Sequence, residues 1–237
     1  MHRDIIPGSR SFNYAMPIVG FPGRNGLDLN LTLYYNNRVW ALSSDLTQIT
    51  FNADCDHPSY GFRLDFGHII GAFNNEIGST SYVLTEPDGT KRELRSSGTN
   101  VFSTYDSSYM EWNSSTKVLR HKDGTQATYE LVPQTTDRFR PIQIKDTNGN
   151  YITITYIAGE HVSINTITDT AGRVITFTYD ASNRLNQVKQ GTQVYATFTW
   201  GTQALNYNFS PGLTVEALAN GTLLNVITRM TLANGVA

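Results

Sequence analysis

The sequence predicts an all-β protein, built as a curling antiparallel sheet of stacked β-hairpins. Three observations predict it: apolar residues alternate at period two in many short runs, turn signals built on Asp and Gly separate those runs, and one turn-and-strand unit recurs. Asp146, Gly149 and Tyr156 reappear as Asp169, Gly172 and Tyr179, each 23 residues later. A unit copied at fixed offsets is one supersecondary element stacked on its neighbour. Sustained helical spacing is missing, and residues 216–220 have room for one turn at most.

Taken in order, Phe21, Gly23, Arg24 and Gly26 mark a turn ahead of a strand over 28–35, with Leu29, Leu31, Leu33 and Tyr35 on one face. Residues 42–58 are polar and turn-prone and predict a long loop. Alternation resumes over 60–67, with Phe62, Leu64 and Phe66 together and Arg63 and Asp65 opposite. The stretch 81–94 reads strand, Pro87-Asp88-Gly89 turn, strand; Asp123-Gly124 repeats that device between 118–121 and 127–131. Asp-Gly between alternating apolar residues is a strong hairpin signal. Short strands are expected at 100–105 and 109–112. Asp123 also stands 23 residues before Asp146, with only a thin match between.

Residues 140–145 lead into the copied unit. In its first copy Ile152, Ile154 and Tyr156 face away from Tyr151, Thr153 and Thr155; in the second, Ile175, Phe177 and Tyr179 face away from Val174, Thr176 and Thr178. Asp-x-x-Gly before each strand supplies a tight turn, the glycine tolerating the positive φ that such turns need. After Tyr179, residues 180–184 form a second turn into a returning strand over 185–189, so one unit is a hairpin. A strand over 193–200 places Val194, Ala196, Phe198 and Trp200 together; 206–211 reads as loop, and 223–232 as a strand pair or one long strand. Residues 232–237 read as a turn cut off before its partner, so the chain is expected to be a fragment. A dozen or more short strands exceed one flat sheet, so the sheet must curl, close or continue.

Gly172-Arg173, then Tyr179-Asp180, then Asn183-Arg184-Leu185 resembles the YD repeat of the Rhs family, which includes bacterial Rhs polymorphic toxins, the C components of insecticidal toxin complexes and the teneurins. In the first copy Gly149 and Tyr156 match, while Ile157 replaces the aspartate and Gly159-Glu160-His161 replaces the close. That copy is a boundary unit, or one whose second turn is built differently. Residues 12–40 resemble the segment preceding the repeats in bacterial Rhs proteins, and 60–67 the glycine-bracketed strand that follows it.

The resemblance implies a division into a β region over 1–135 preceding the repeats and repeat hairpins over 136–237. It implies a non-enzymatic wall segment of a hollow β-shell enclosing or presenting a C-terminal toxin or effector domain. The implied partners are the remaining repeats and that effector domain of the same parent chain, with no cofactor. The alternative is a cell-surface adhesion or carbohydrate-binding module, with glycans as partners.

Composition narrows the classes. With 39% apolar and 11% aromatic residues a substantial core is available, yet charged residues reach only 16%, below the roughly 25% of typical soluble domains. Such a surface suits a secreted or cell-surface β protein. A formal net charge of −2 gives no electrostatic case for nucleic acid. No apolar run approaches the ~20 residues of a membrane helix, so membrane insertion is not expected. The N-terminus has no secretory pattern, leaving the export route outside this segment. Cys55 is the single cysteine and excludes an intramolecular disulfide framework.

Candidate chemistry is sparse. Asp54, Cys55, Asp56 and His57 are the one tight cluster of ligand types, but adjacent residues in a loop point apart and no second cluster completes a site, so no metal is expected. The histidines at 2, 57, 68, 121 and 161 have no nucleophile context, and Ser43, Ser44, Ser107 and Ser108 lack a Gly-x-Ser-x-Gly elbow. Asp88, Asp123, Asp146, Asp169 and Asp180 sit where turns want an Asx side chain. No catalytic residue is therefore assigned. Trp112, Tyr151 and Tyr195 are candidate sugar-stacking residues, whereas Trp200 shares a face with Val194 and Phe198. Arg173 and Arg184 are expected to pair with Asp169 or Asp180 and tie turns between adjacent hairpins.

Overall fold

The computed structural model describes residues 2–6, 11–43, 45–52, 56–74, 80–159, 162–209 and 212–233. In chain order the strands are β1 (His2–Ile6), β2 (Ser11–Phe21), β3 (Leu29–Asn36), β4 (Trp40–Leu42), β5 (Gln48–Phe51), β6 (Phe62–Arg63) and β7 (His68–Asn74). They continue as β8 (Thr80–Thr85), β9 (Lys91–Gly98), β10 (Val101–Ser103), β11 (Glu111–Asn113), β12 (Val118–Arg120), β13 (Gln126–Leu131) and β14 (Arg138–Lys145). The last are β15 (Tyr151–Tyr156), β16 (Ile164–Thr168), β17 (Val174–Tyr179), β18 (Leu185–Gln190), β19 (Gln193–Ala204), β20 (Thr214–Glu216) and β21 (Leu223–Leu232). The all-β class is as the alternation predicts. A single 3-10 turn, Arg24–Gly26, is the helical element among the described residues, and none of their helices is long and apolar enough to cross a membrane.

The chain forms two compact units, residues 19–31 with 65–177, and residues 1–18 with 32–64 and 178–237. Each includes sequence from both sides of position 135.

In the first unit, consecutive antiparallel strands β7 to β14 close on themselves, because β14 pairs with β13 along one edge and with the start of β7 along the other. Closure removes the free edges that an open sheet would expose. The interior follows from the period-two pattern: paired positions Ile69 and Leu84, Tyr82 and Leu94, and Phe102, Trp112, Leu119 and Ala127 in succession all point inward. Trp112 is at 0% exposure, its ring 5.5 Å from Tyr129 and 5.6 Å from Phe139. Gly71 sits opposite Tyr82 in register, and an added Cβ there would lie 1.8 Å from the tyrosine ring. The missing side chain thus lets Tyr82 lie across β7 and reach Phe102 at 4.6 Å.

β14 is also where the barrel gives way to the copied unit. Its first residues pair with β7, and its last, Gln143 to Lys145, pair with β15, followed in order by β16 and β17. Ile152, Ile154, Ile164, Ile167, Ile175 and Phe177 are buried on one face of these strands. Thr155, Thr166 and Thr176 stand in one cross-strand row on the other.

In the second unit, β18, β19 and β21 form an antiparallel run, and the stretch 223–232 is one continuous strand. The expected loop over 42–58 is corrected: it contains β5, which forms a hairpin with β4 just before it, pairing Trp40 with Phe51 and Leu42 with Ile49. The polar reading missed it because the flanking apolar residues are few and partner each other. β5 then pairs with β20 in parallel, an exception to the antiparallel pattern. The expected strand over 60–67 shrinks to β6, two residues long. Arg63, expected on the outer face, is 7% exposed and forms an ion pair with Asp56 at 3.0 Å.

Candidate functional site: the repeat turns

The residues singled out by the repeat lie in three turns of one construction. In each, an aspartate opens the turn, a residue at positive φ stands fourth, and the fifth residue closes it. The fourth residues are Gly149 at φ 86°, Gly172 at 77° and Asn183 at 57°. Asn183 is the informative one, since asparagine is among the few residues other than glycine that visit this region readily. The opening N–H donates to the closing carbonyl at 3.1 Å between Asp169 and Arg173 and at 2.9 Å between Asp180 and Arg184.

The carboxylates complete the turns. Asp169 Oδ1 accepts the backbone N–H groups of Ala171 and Arg173 at 3.0 and 2.9 Å, and its Oδ2 accepts Arg173 Nε and Nη2, both at 2.6 Å. Asp180 repeats this with Ser182, Arg184 N–H, and Arg184 Nε and Nη2 at 2.8 Å. In the first copy Asp146 holds the N–H groups of Asn148 and Asn150, and the Asn150 amide takes the place of the guanidinium at 2.7 Å. The first copy is thus a variant of the same turn with a neutral closing residue.

Each environment shifts its carboxyl. Burial works to raise the Asp169 pKa, but the Arg173 side chain, its N–H and its charge outweigh that and hold it below the usual carboxylate range. Arg184 lowers Asp180, and the Asn150 amide lowers Asp146. These are held anions inside turns, occupied by their own donors rather than open to substrate.

The expected role of the arginines is corrected in one respect. Each pairs within its own turn, four residues apart, because a five-residue turn places both side chains on the same side. Thr170 links one hairpin to the preceding one: its hydroxyl accepts the Tyr151 N–H at 2.6 Å and donates to the Tyr151 carbonyl at 2.7 Å. Its counterpart Thr147 packs against Gly124 of the preceding turn, so closely that a Cβ there would stand 2.5 Å from it. Arg173 has a further attachment that the sequence did not signal. Its Nη2 donates to the Pro22 carbonyl at 2.6 Å, and its guanidinium lies 4.7 Å from the Phe21 ring centre.

The tyrosines close the strands. Tyr156 donates its hydroxyl to the Pro141 carbonyl at 2.8 Å and lies beneath the Arg140 guanidinium at 3.9 Å; burial pushes its phenol well up. Arg140, 7% exposed, is also paired with Glu130 across β13 and β14 at 2.7 Å. Tyr179 is half-buried beside His57, with ring centres 6.5 Å apart. Leu185 is buried at 1% and its carbonyl accepts Trp200 Nε1–H at 2.8 Å; Arg184 lies 5.8 Å from the Trp200 ring centre. Three arginines, 140, 173 and 184, thus each combine a carboxylate partner with an aromatic face.

The other candidates divide. Trp112 is removed as a sugar-stacking residue, since its ring is enclosed by the barrel and presents no face. Tyr151 is 44% exposed at the start of β15, and Tyr195 is half-buried with its hydroxyl donating to Gln190 at 3.0 Å. Asp54, Cys55 and His161 lie outside the described residues, and His2 opens β1, opposite Ala15 of β2. Asp56 accepts the Gly61 N–H at 2.9 Å besides its Arg63 pair, so it serves a structural loop. Asp88 and Asp123 accept N–H groups of Thr90 and Thr125 in turns that open at Glu86 and His121. Asp123 is therefore third in its turn while Asp146 is first in its own, so their 23-residue separation is not a further copy.

Residues 166–193 match the family model described as RHS Repeat. The match spans the Asp169 turn, β17, the Asp180 turn and β18. A search of curated proteins found no match to the chain.

Proposed function

From the premise that this is an Rhs/YD-repeat chain by its matched repeat at residues 166–193, we propose that it is a non-enzymatic wall segment of a β-shell. The shell encloses or presents a C-terminal toxin or effector domain of the same parent chain, and the parent is exported to act outside the cell or at its surface. The observation that carries this reading is the pair of Arg-closed turns within the matched repeat. Every charged group of the motif is consumed in fixing turn geometry, as a wall element requires and a substrate site does not. Hairpins with one apolar face and one threonine-rich face, stitched turn to turn, suit a curved wall with distinct inner and outer surfaces.

The test is protease protection in the natural parent chain. On this reading a C-terminal domain resists digestion while the repeats are intact and is cut rapidly once expressed alone. Equal digestion rates in both settings contradict it. The adhesion or carbohydrate-binding reading keeps Tyr151 as its support among the repeat residues, with Trp112 withdrawn.

A further inference from the structure

Four asparagines in the chain are followed directly by glycine, at 25, 148, 220 and 234, and the first three lie among the described residues. That dipeptide is chemically labile. Glycine has no β-carbon to shield its nitrogen, which can attack the side-chain amide carbon of the preceding asparagine and close a succinimide ring. Because both reactants belong to one chain, the rate depends on whether the folded backbone lets them meet.

Asn220 is locked. Its Oδ1 accepts the Tyr207 N–H and its Nδ2 donates to the Tyr207 carbonyl, both at 3.1 Å, while the Gly221 N–H donates to the Leu205 carbonyl at 2.7 Å. Asn25 is turned away. It stands at φ 57° and ψ 28°, and this left-handed form brings Cβ beside the residue's own carbonyl oxygen, which leaves the Gly26 nitrogen on the far side. Asn148 has neither protection. It is exposed and lies outside the positive-φ region. The Asp146 carboxyl is lowered first by the Asn150 amide and least by that of Asn148, so little holds the Asn148 side chain. The Gly149 N–H reaches the Asp146 carbonyl at 3.4 Å, against 3.0 Å between the matching Gly172 and Asp169. The nucleophile is thus the more weakly held of the two.

We propose that Asn148 is a spontaneous modification site, deamidated through a succinimide to aspartate and isoaspartate. The Gly149 nitrogen bonds to Asn148 Cγ, the Cγ–Nδ2 bond breaks, and ammonia leaves carrying the proton of the Gly149 N–H. Water then opens the ring. Addition at Cγ gives aspartate, and addition at the Asn148 main-chain carbonyl carbon gives isoaspartate; no electrons are transferred and water is the co-reactant. Isoaspartate routes the backbone through Cβ and Cγ, lengthening a turn that is closed by the Asp146 N–H on the Asn150 carbonyl at 3.0 Å. Either product adds a carboxylate near Asp146, whose closing partner is a neutral amide rather than a guanidinium. The turn between β14 and β15, where the barrel gives way to the copied unit, therefore loosens with age.

Peptide mass spectrometry of the whole chain, aged in mildly alkaline buffer with and without urea, tests it. Trypsin separates the pairs, since residues 25–38, 146–173 and 190–229 each carry one. In urea the three convert at similar rates. In the native chain Asn148 is expected to convert about tenfold or more faster than Asn220, where three hydrogen bonds must break first. Fragmentation places the new carboxyl at residue 148 with isoaspartate present, and Asn148→Gln abolishes the gain in 146–173. The aged parent melts below the aged Asn148→Gln variant. A native chain that keeps Asn148 intact while the urea sample converts overturns the proposal. So do equal native rates at Asn148 and Asn220, or a carboxyl gained at Asn150 or Asn165 instead. Equal melting of aged parent and aged variant overturns the loosening of the turn.

Discussion

Asp169 and Arg173 are joined by two hydrogen bonds of 2.6 Å to one carboxylate oxygen, while the other oxygen holds two backbone N–H groups of the same turn. The Asp169 side chain is 4% exposed, whereas that of Asp180 is 30% exposed in the equivalent place. Asp169→Ala removes a buried carboxylate that holds two N–H groups and a guanidinium, and is expected to cost about 2–3 kcal/mol. Asp180→Ala should cost clearly less, because water can replace its oxygens. Urea unfolding midpoints of the two variants measure the difference; equal losses would show that burial does not set the strength of these turns.

The fourth turn position is set by backbone conformation alone at Gly172, where an added Cβ would meet nothing within 4 Å. Gly172→Ala is therefore expected to cost about 1 kcal/mol through its φ of 77°, with no clash added. Asn183→Gly relieves a non-glycine residue at φ 57° and should leave stability unchanged or slightly raised. Thermal melts of both variants give the two signs.

Acid should destabilise the fold in two stages. Burial lowers the His57 pKa from 6.5 to about 4, and burial also lowers that of His121, so between pH 6.5 and about 4 the unfolded chain binds more protons than the native one. Stability then falls as pH falls through that window. Asp169, Asp180 and Asp146 have pKa values below the usual 3.8, so their stabilisation, complete above that value, is lost below it. Unfolding midpoints from pH 7 to 3 should decline throughout, and His57→Gln should flatten the upper stage while leaving the lower one.

Much of this architecture was legible in residue spacing. The strands of the copied unit alternate cleanly, so Ile152, Ile154, Ile175 and Phe177 could be assigned to a buried face, and Asp-x-x-Gly announced the turns. Barrel closure was not legible, because the pairing of Phe139 with Ile69 joins residues far apart in sequence and leaves no local pattern. Nor was the contact of Arg173 with Phe21 and Pro22. The Trp112 assignment had a usable signal: Glu111 and Asn113 on either side are polar, which places the tryptophan on the inward face of a strand.

That inward position makes Trp112 the centre of the barrel core. Trp112→Ala should cost about 3–5 kcal/mol and Gly71→Ala should also destabilise, by driving a methyl into the Tyr82 ring. Loss of near-ultraviolet circular dichroism at lowered denaturant is the readout. A Trp112→Ala variant as stable as the parent would remove the barrel from the description of this chain.

Whether the repeat hairpins form part of a wall is read from a cryo-electron-microscopy reconstruction of the natural parent chain. Strands β15 to β19 and β21 are expected within a continuous, hollow β wall around a separate C-terminal domain. A reconstruction in which these strands stand apart as an isolated module, enclosing nothing, would contradict it.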